Sequence, residues 1–137
     1  MKSRLLATDP DPEMLRMYQM YFSNFGFKVA TASDGLECVR WLRTFVPDRL
    51  ILSLDLCWGG ADGVLAIVRE ESQLRPFPVI LTAAELNHPR SVEFLSPPVV
   101  SLFEKPIILY ELLEIIAAAL CSRADRQIAP ATGVPDS

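Results

Sequence analysis

Ile51-Leu52-Ser53-Leu54-Asp55-Leu56-Cys57-Trp58-Gly59-Gly60-Ala61-Asp62-Gly63 is the stretch that decides the fold: an apolar run ends abruptly in an aspartate and passes into a glycine-rich turn. Leu and Ile with one small polar break predict a strand buried on both faces. A carboxylate at the C-terminal end of such a strand stands where open parallel sheets hold their ligands. Taken alone, the stretch is equally compatible with Asp55 merely beginning a turn, because Asp is common after strands. Three further stretches, carrying Asp9, Thr82 and Lys105, favour the first reading.

Upstream, Leu5-Leu6-Ala7-Thr8 is a short first strand that runs into Asp9-Pro10-Asp11-Pro12-Glu13. Asp11 is suited to cap a helix whose first position is Pro12, where a missing N–H costs nothing. That helix carries Met14, Leu15, Tyr18, Tyr21, Phe22 and Phe25 at helical spacing, as core residues rather than cofactor contacts, and stops at Gly26. Residues 28–32 form a second strand. Ser33 is the expected cap of the next helix, with Leu36, Val39, Trp41, Leu42 and Phe45 on its buried side and Pro47-Asp48 at its end.

Downstream, residues 64–71 predict a third helix, closed by residues 72–76. Residues 77–82 predict a fourth strand with Pro78 near its start, where a lost donor is tolerated. Pro89, Pro97 and Pro98 leave room for only a short helix around residues 90–95. Residues 99–103 are the fifth strand, Glu104-Lys105-Pro106 a turn, and residues 107–120 a strong amphipathic helix. From Ser122 the chain turns polar, so residues 1–121 are expected to be the domain and 122–137 a flexible tail or truncated linker.

With 137 residues, half of them hydrophobic, one domain with a sizeable core is expected. A net charge of −4 and a pI near 5.0 argue against direct contact with nucleic acid, which needs a basic face. Cys38, Cys57 and Cys121 are odd in number and widely spaced, and His88 is the one histidine, so neither a disulfide framework nor a zinc site fits. No charged-then-apolar leader opens the chain, and Glu111 and Glu114 interrupt its longest apolar stretch, so the expectation is a cytoplasmic protein without membrane contact.

Strands alternating with helices imply an α/β domain with a parallel sheet covered on both faces and right-handed crossovers. Asp9, Asp55, Thr82 and Lys105 then fall at the C-terminal ends of the first, third, fourth and fifth strands and crowd one edge. Two carboxylates together call for a cation, and oxygen ligands suit magnesium. A hydroxyl and an ammonium nearby are suited to hold phosphoryl oxygens. The ensemble is that of a phosphoryl-accepting carboxylate site.

The chain resembles the receiver domain of two-component response regulators over about residues 3 to 121. Asp55 to Gly63 is similar to the phosphoacceptor strand end and following loop, Leu81-Thr82-Ala83 to the switch-threonine motif, and Glu104-Lys105-Pro106 to the lysine-proline motif. The resemblance implies a doubly wound, flavodoxin-like (βα)5 sandwich with strand order 2-1-3-4-5. It implies phosphorylation of Asp55 by a histidine kinase or phosphotransfer protein, with Thr82 and Lys105 assisting. Magnesium would be held by Asp9, Asp55, the Cys57 backbone carbonyl and, with a rearranged loop, Asp11. It further implies a signalling module rather than a turnover enzyme, with an output partner at the face made by residues 99–103 and 107–120. A homodimer is left open.

Several positions depart from the family pattern. Pro10 stands where a second metal-contacting acid is usual, Gly59 where a proline is usual, Leu102 where the switch aromatic is usual, and Pro97-Pro98 where a small pair is usual. From Pro47-Asp48 to Asp55 is about two residues longer than usual, so registering the strand from its start would put Ser53 at the acceptor position. The loop from Asp55 to Asp62-Gly63 fits without gaps, which favours Asp55. Leu102 has less area to bury than an aromatic residue, so a modest switch at the output face is expected, with partner binding there depending on Leu102, Phe103 and Tyr110. Two alternatives remain. One is a pseudo-receiver that binds proteins without phosphorylation, motivated by Pro10. The other is a haloacid-dehalogenase-like phosphohydrolase built on Asp9 and Asp11, opposed by Glu13 and by the lack of a role for Asp55.

Overall fold

The computed structural model describes residues 3–57, 60–70, 77–85 and 97–120. Five strands, β1 (Arg4–Thr8), β2 (Lys28–Ala32), β3 (Arg49–Ser53), β4 (Val79–Ala83) and β5 (Val99–Glu104), pair in parallel in the order β2-β1-β3-β4-β5. Among the described residues the helices are α1 (Pro12–Asn24), α2 (Gly35–Thr44), α3 (Gly60–Glu70) and α4 (Leu109–Leu120). This is the expected flavodoxin-like arrangement. The short helix expected around residues 90–95, the loop residues Trp58, Gly59 and His88, and the expected tail all lie outside the described residues.

Period-two alternation along the strands divides the interior in two. Leu6, Leu50, Leu52, Val79 and Leu81 face Cys38 and Leu42 of α2 and Val64 and Leu65 of α3. Leu5, Ala7, Ile51 and Ile80 face Tyr18 and Phe22 of α1 and Leu112 and Ile116 of α4. All five residues of β3 are buried, as are all five of β4. No helix among the described residues is long and apolar enough to cross a membrane.

The first helix starts as expected. Asp11 is its cap, accepting from the Glu13 N–H at 3.0 Å, with Pro12 next. The second helix departs by one residue: Asp34 rather than Ser33 caps it, accepting from Glu37 N–H at 2.8 Å, while Glu37 accepts from Ser33 N–H at 2.9 Å. The two bonds resemble a capping box displaced by one residue; Gly35, Cys38 and Leu42 are the buried residues of α2, and Leu36, in its first turn, is 64% exposed instead of core. Phe25, expected in the core, is the residue that caps α1 after its last turn and is 54% exposed. Burial pushes the Cys38 thiol up to about 12, with Glu37 and Asp34 adding to the effect, so this cysteine is a core residue and not a nucleophile.

Arg49 is buried at the start of β3 and donates through Nε to the Ile116 carbonyl of α4 at 3.2 Å, tying that helix to the middle of the sheet. Leu52 lies wholly inside the α2 and α3 core. Leu52→Ala is expected to lower stability by about 2–5 kcal/mol through lost transfer energy and a residual cavity, read as a shifted urea midpoint with an unchanged slope.

Candidate functional site

The alternation that builds the core also assembles the site. Ala7, Ile51, Ile80 and Phe103 all belong to the core under α1 and α4. Two residues further on along their strands come Asp9, Ser53, Thr82 and Lys105, which therefore emerge on the same face at the C-terminal edge of the sheet. Three of these four were expected from sequence. Asp55 was placed at the end of its strand, but β3 ends at Ser53, and Asp55 sits two residues beyond, in a turn. The longer segment after Pro47-Asp48 is the reason: the ladder uses its pairing residues before the chain reaches Asp55. In that ladder Ser53, not Asp55, is the partner of Thr82.

Lys105 nevertheless brings the carboxylates together. Its Nζ is 2.8 Å from Asp9 Oδ2, 2.9 Å from Asp55 Oδ2 and 3.5 Å from Ser53 Oγ. The backbone N–H of Lys105 donates to the Ala83 carbonyl at 2.8 Å, which fixes the start of that side chain against β4. Burial alone pulls the Lys105 ammonium down. The two carboxylates touching it more than reverse this, and it titrates above its ordinary 10.5.

Asp9 is 1% exposed. Its Oδ1 accepts from the Asp11 N–H at 2.9 Å. Its Oδ2 meets the Lys105 ammonium at 2.8 Å and has no other donor. Thr82 is fully buried and its hydroxyl has no partner. A buried hydroxyl left unpaired costs about 1–3 kcal/mol, and this one lies on the same face as the Asp9 carboxylate, where an incoming acceptor would satisfy it. Tyr18 contributes a second unpaired buried hydroxyl, which burial first and the charge of Asp9 second push up from the ordinary tyrosine range.

The residues present fit a small hard cation in part. Magnesium is commonly held by one or two carboxylates with water completing its shell, and Asp9 and Asp55 supply two, both facing the Lys105 ammonium. Pro10 is exposed and adds no ligand. Asp11 uses one carboxylate oxygen to cap α1. The Cys57 carbonyl accepts from Gly35 N–H at 3.0 Å, which leaves one lone pair. Among the described residues no three acidic, thiol or imidazole side chains cluster as a metal group.

Thr8 was missed from sequence, and Ser53 was named there only as the acceptor position of a register set aside in favour of Asp55. Ser53 is the single small polar residue in the apolar run, and the two-residue excess length was its signal. Thr8 gave none: its hydroxyl donates to the Ile51 carbonyl and accepts from Ser53 N–H, both at 3.0 Å, lacing β1 to the end of β3. Leu102, expected at the switch position, pairs with Leu81 and packs on the α2 and α3 core, whereas Phe103 pairs with Thr82.

Residues 5–117 match the family described as the response regulator receiver domain. The chain belongs to that family. The receiver domain is 28% identical over 120 residues to the transcriptional regulatory protein PrrA of Mycobacterium tuberculosis, covering 88% of this chain and 51% of that protein, so it spans about half the length of that relative. It superposes on the chemotaxis response regulator CheY4 of Vibrio cholerae with a TM-score of 0.78 at 20% identity, covering 87% and 99% of the two chains. The response regulator TrrA of Thermotoga maritima, solved in complex with Mg(2+)-BeF, gives a TM-score of 0.73 at 19% identity over 85% and 98%.

Because the Lys105 ammonium titrates higher in the folded receiver than in the unfolded chain, its contribution to stability is complete below about pH 10.5 and is lost as the pH rises through the folded value. Lys105→Gln is therefore expected to be less stable than wild type at neutral pH, with the gap narrowing at strongly alkaline pH in urea titrations.

Proposed function

We propose that this receiver domain accepts a phosphoryl group on Asp55 from a phosphohistidine of a sensor histidine kinase or phosphotransfer protein. The observation that supports this most is the Lys105 ammonium held between Asp9 and Asp55, with the unpaired Thr82 hydroxyl on the same sheet face. An Asp55 oxygen attacks phosphorus, the P–N bond breaks, and the departing imidazole keeps the electron pair and takes up a proton. The aspartyl phosphate places new negative charge where Lys105 and Thr82 can hold it. Magnesium bound by Asp9, Asp55 and the Cys57 carbonyl, with Asp11 as a further candidate, would neutralise charge on the transferring group. Pro10 makes that site weaker than one with two adjacent acids.

In this reading residues 1–121 are the signalling domain of a cytoplasmic phosphorelay and residues 122–137 a tail or linker. An output domain or protein partner meets the face of β5 and α4, where Ile108 and Tyr110 are 56% and 61% exposed. A homodimer through this region belongs to the same proposal. A second reading, protein binding without phosphorylation, is favoured by one observation: Ser53 and not a carboxylate ends β3 opposite Thr82.

Intact mass after incubation with acetyl phosphate and magnesium separates the two. Wild type is expected to gain one phosphoryl group and Asp55→Asn none; an unlabelled wild type selects the second reading. Pro10→Asp is expected to tighten magnesium binding about tenfold, the order expected when one carboxylate ligand worth about 1.4 kcal/mol is added, measured by titration calorimetry.

A further inference from the structure

We infer that Ser53 is a positioning residue for Asp55, supplying the rigidity that Asp55 loses by lying outside the strand. The inference rests on the proposed phosphorylation of Asp55. Among the described residues, the one ladder-like bond beyond Ser53 is from Leu54 N–H to the Thr82 carbonyl at 2.8 Å, and the Asp55 N–H has no strand partner. It donates instead to Ser53 Oγ at 3.1 Å. The Leu56 N–H closes the same turn on the Ser53 carbonyl at 3.4 Å. Ser53 itself is fully buried and is fixed from the other side by the Thr8 hydroxyl.

The Ser53 hydroxyl therefore stands between the backbone of Asp55 and the ammonium that pairs with its carboxylate, the latter at 3.5 Å. Asp55 has a side chain 34% exposed, where an ion pair alone is screened and holds a geometry weakly. A hydrogen bond from the Asp55 N–H to the Oγ of a buried serine, whose own N–H is held by the Thr8 hydroxyl, limits both the backbone of the turn and the direction in which the carboxylate leaves it. Phosphoryl transfer needs the attacking oxygen in line, so this restraint bears on rate more than on cation binding.

The test uses the whole chain with acetyl phosphate and magnesium, comparing wild type, Ser53→Ala and Ser53→Thr. Alanine fits the space of serine, and an unchanged unfolding midpoint checks the fold. Ser53→Ala is expected to label about tenfold more slowly at saturating magnesium, the factor one ordinary hydrogen bond carries. Its half-saturating magnesium concentration should stay at the wild-type value. Its Asp55 amide should exchange faster with solvent while the amides of β3 keep their protection. Ser53→Thr, which keeps the hydroxyl, should recover the rate. Equal labelling of wild type and Ser53→Ala overturns this inference and leaves the proposed function standing. Failure of wild type to label overturns both. If Ser53→Ala does not fold, slow labelling by a folded Ser53→Cys, a weaker acceptor, supports the inference and wild-type labelling overturns it.

Discussion

A nearly buried carboxylate needs a counter-charge, and in this domain that need falls on a single ammonium. Asp9 is almost wholly withdrawn from water, and removing a charge from water costs several kcal/mol unless a partner and hydrogen bonds compensate it. The Asp11 N–H and Lys105 supply that compensation from opposite ends of the chain. Since β3 and β4 lie between the strands that carry Asp9 and Lys105, the pair can form only when the intervening ladders are in register. A slip of one residue would turn each of these side chains to the other face. The sheet order and the site are thus one constraint seen twice.

Asp11 shows how closely the site is joined to the scaffold. Its N–H orients Asp9, and its carboxylate caps α1. Both functions come from one residue in a loop stiffened by Pro10 and Pro12. A movement that drew Asp11 toward a metal would release the first turn of the helix, whose capping is worth about 1 kcal/mol. The sequence assigned Asp11 both uses, as the cap of α1 and, with a rearranged loop, as a ligand; the carboxylate is engaged in the first, and the two compete.

Most of the fold was legible because it depends on period and punctuation. The run from Leu50 to Leu52, the Asp11-Pro12 start of α1 and the limits of β2 stand where pattern and capping chemistry put them. The site was legible in its residue types, and less so in its offsets. Asp55 looked like a strand end because hydrophobicity continues through Leu54 and Leu56, but burial in the strand is set by pairing, and pairing with β4 ends at Ser53 and Thr82. Leu36 and Phe25 failed because both stand at a helix end, Leu36 in the first turn of α2 and Phe25 as the cap after α1, where an apolar residue can follow the spacing and still have no packed neighbour over it. The unpaired hydroxyls of Thr82 and Tyr18 have no signature in sequence at all, being defined by what does not reach them.

The irregularity in β5 has a consequence for how the domain meets other chains. Val79 pairs with Val99 and Ile80 with Ser101, so Val100 is an extra residue, 45% exposed on the outermost strand of the sheet. A bulge of this kind twists an edge and spoils the even spacing of its outward N–H and C=O groups. An incoming strand would find no straight template there, and this edge of the sheet does not invite extension by a neighbour's backbone. Recognition at this border is left to side chains and helix surfaces, which discriminate among partners by shape and charge where backbone pairing would accept many sequences alike.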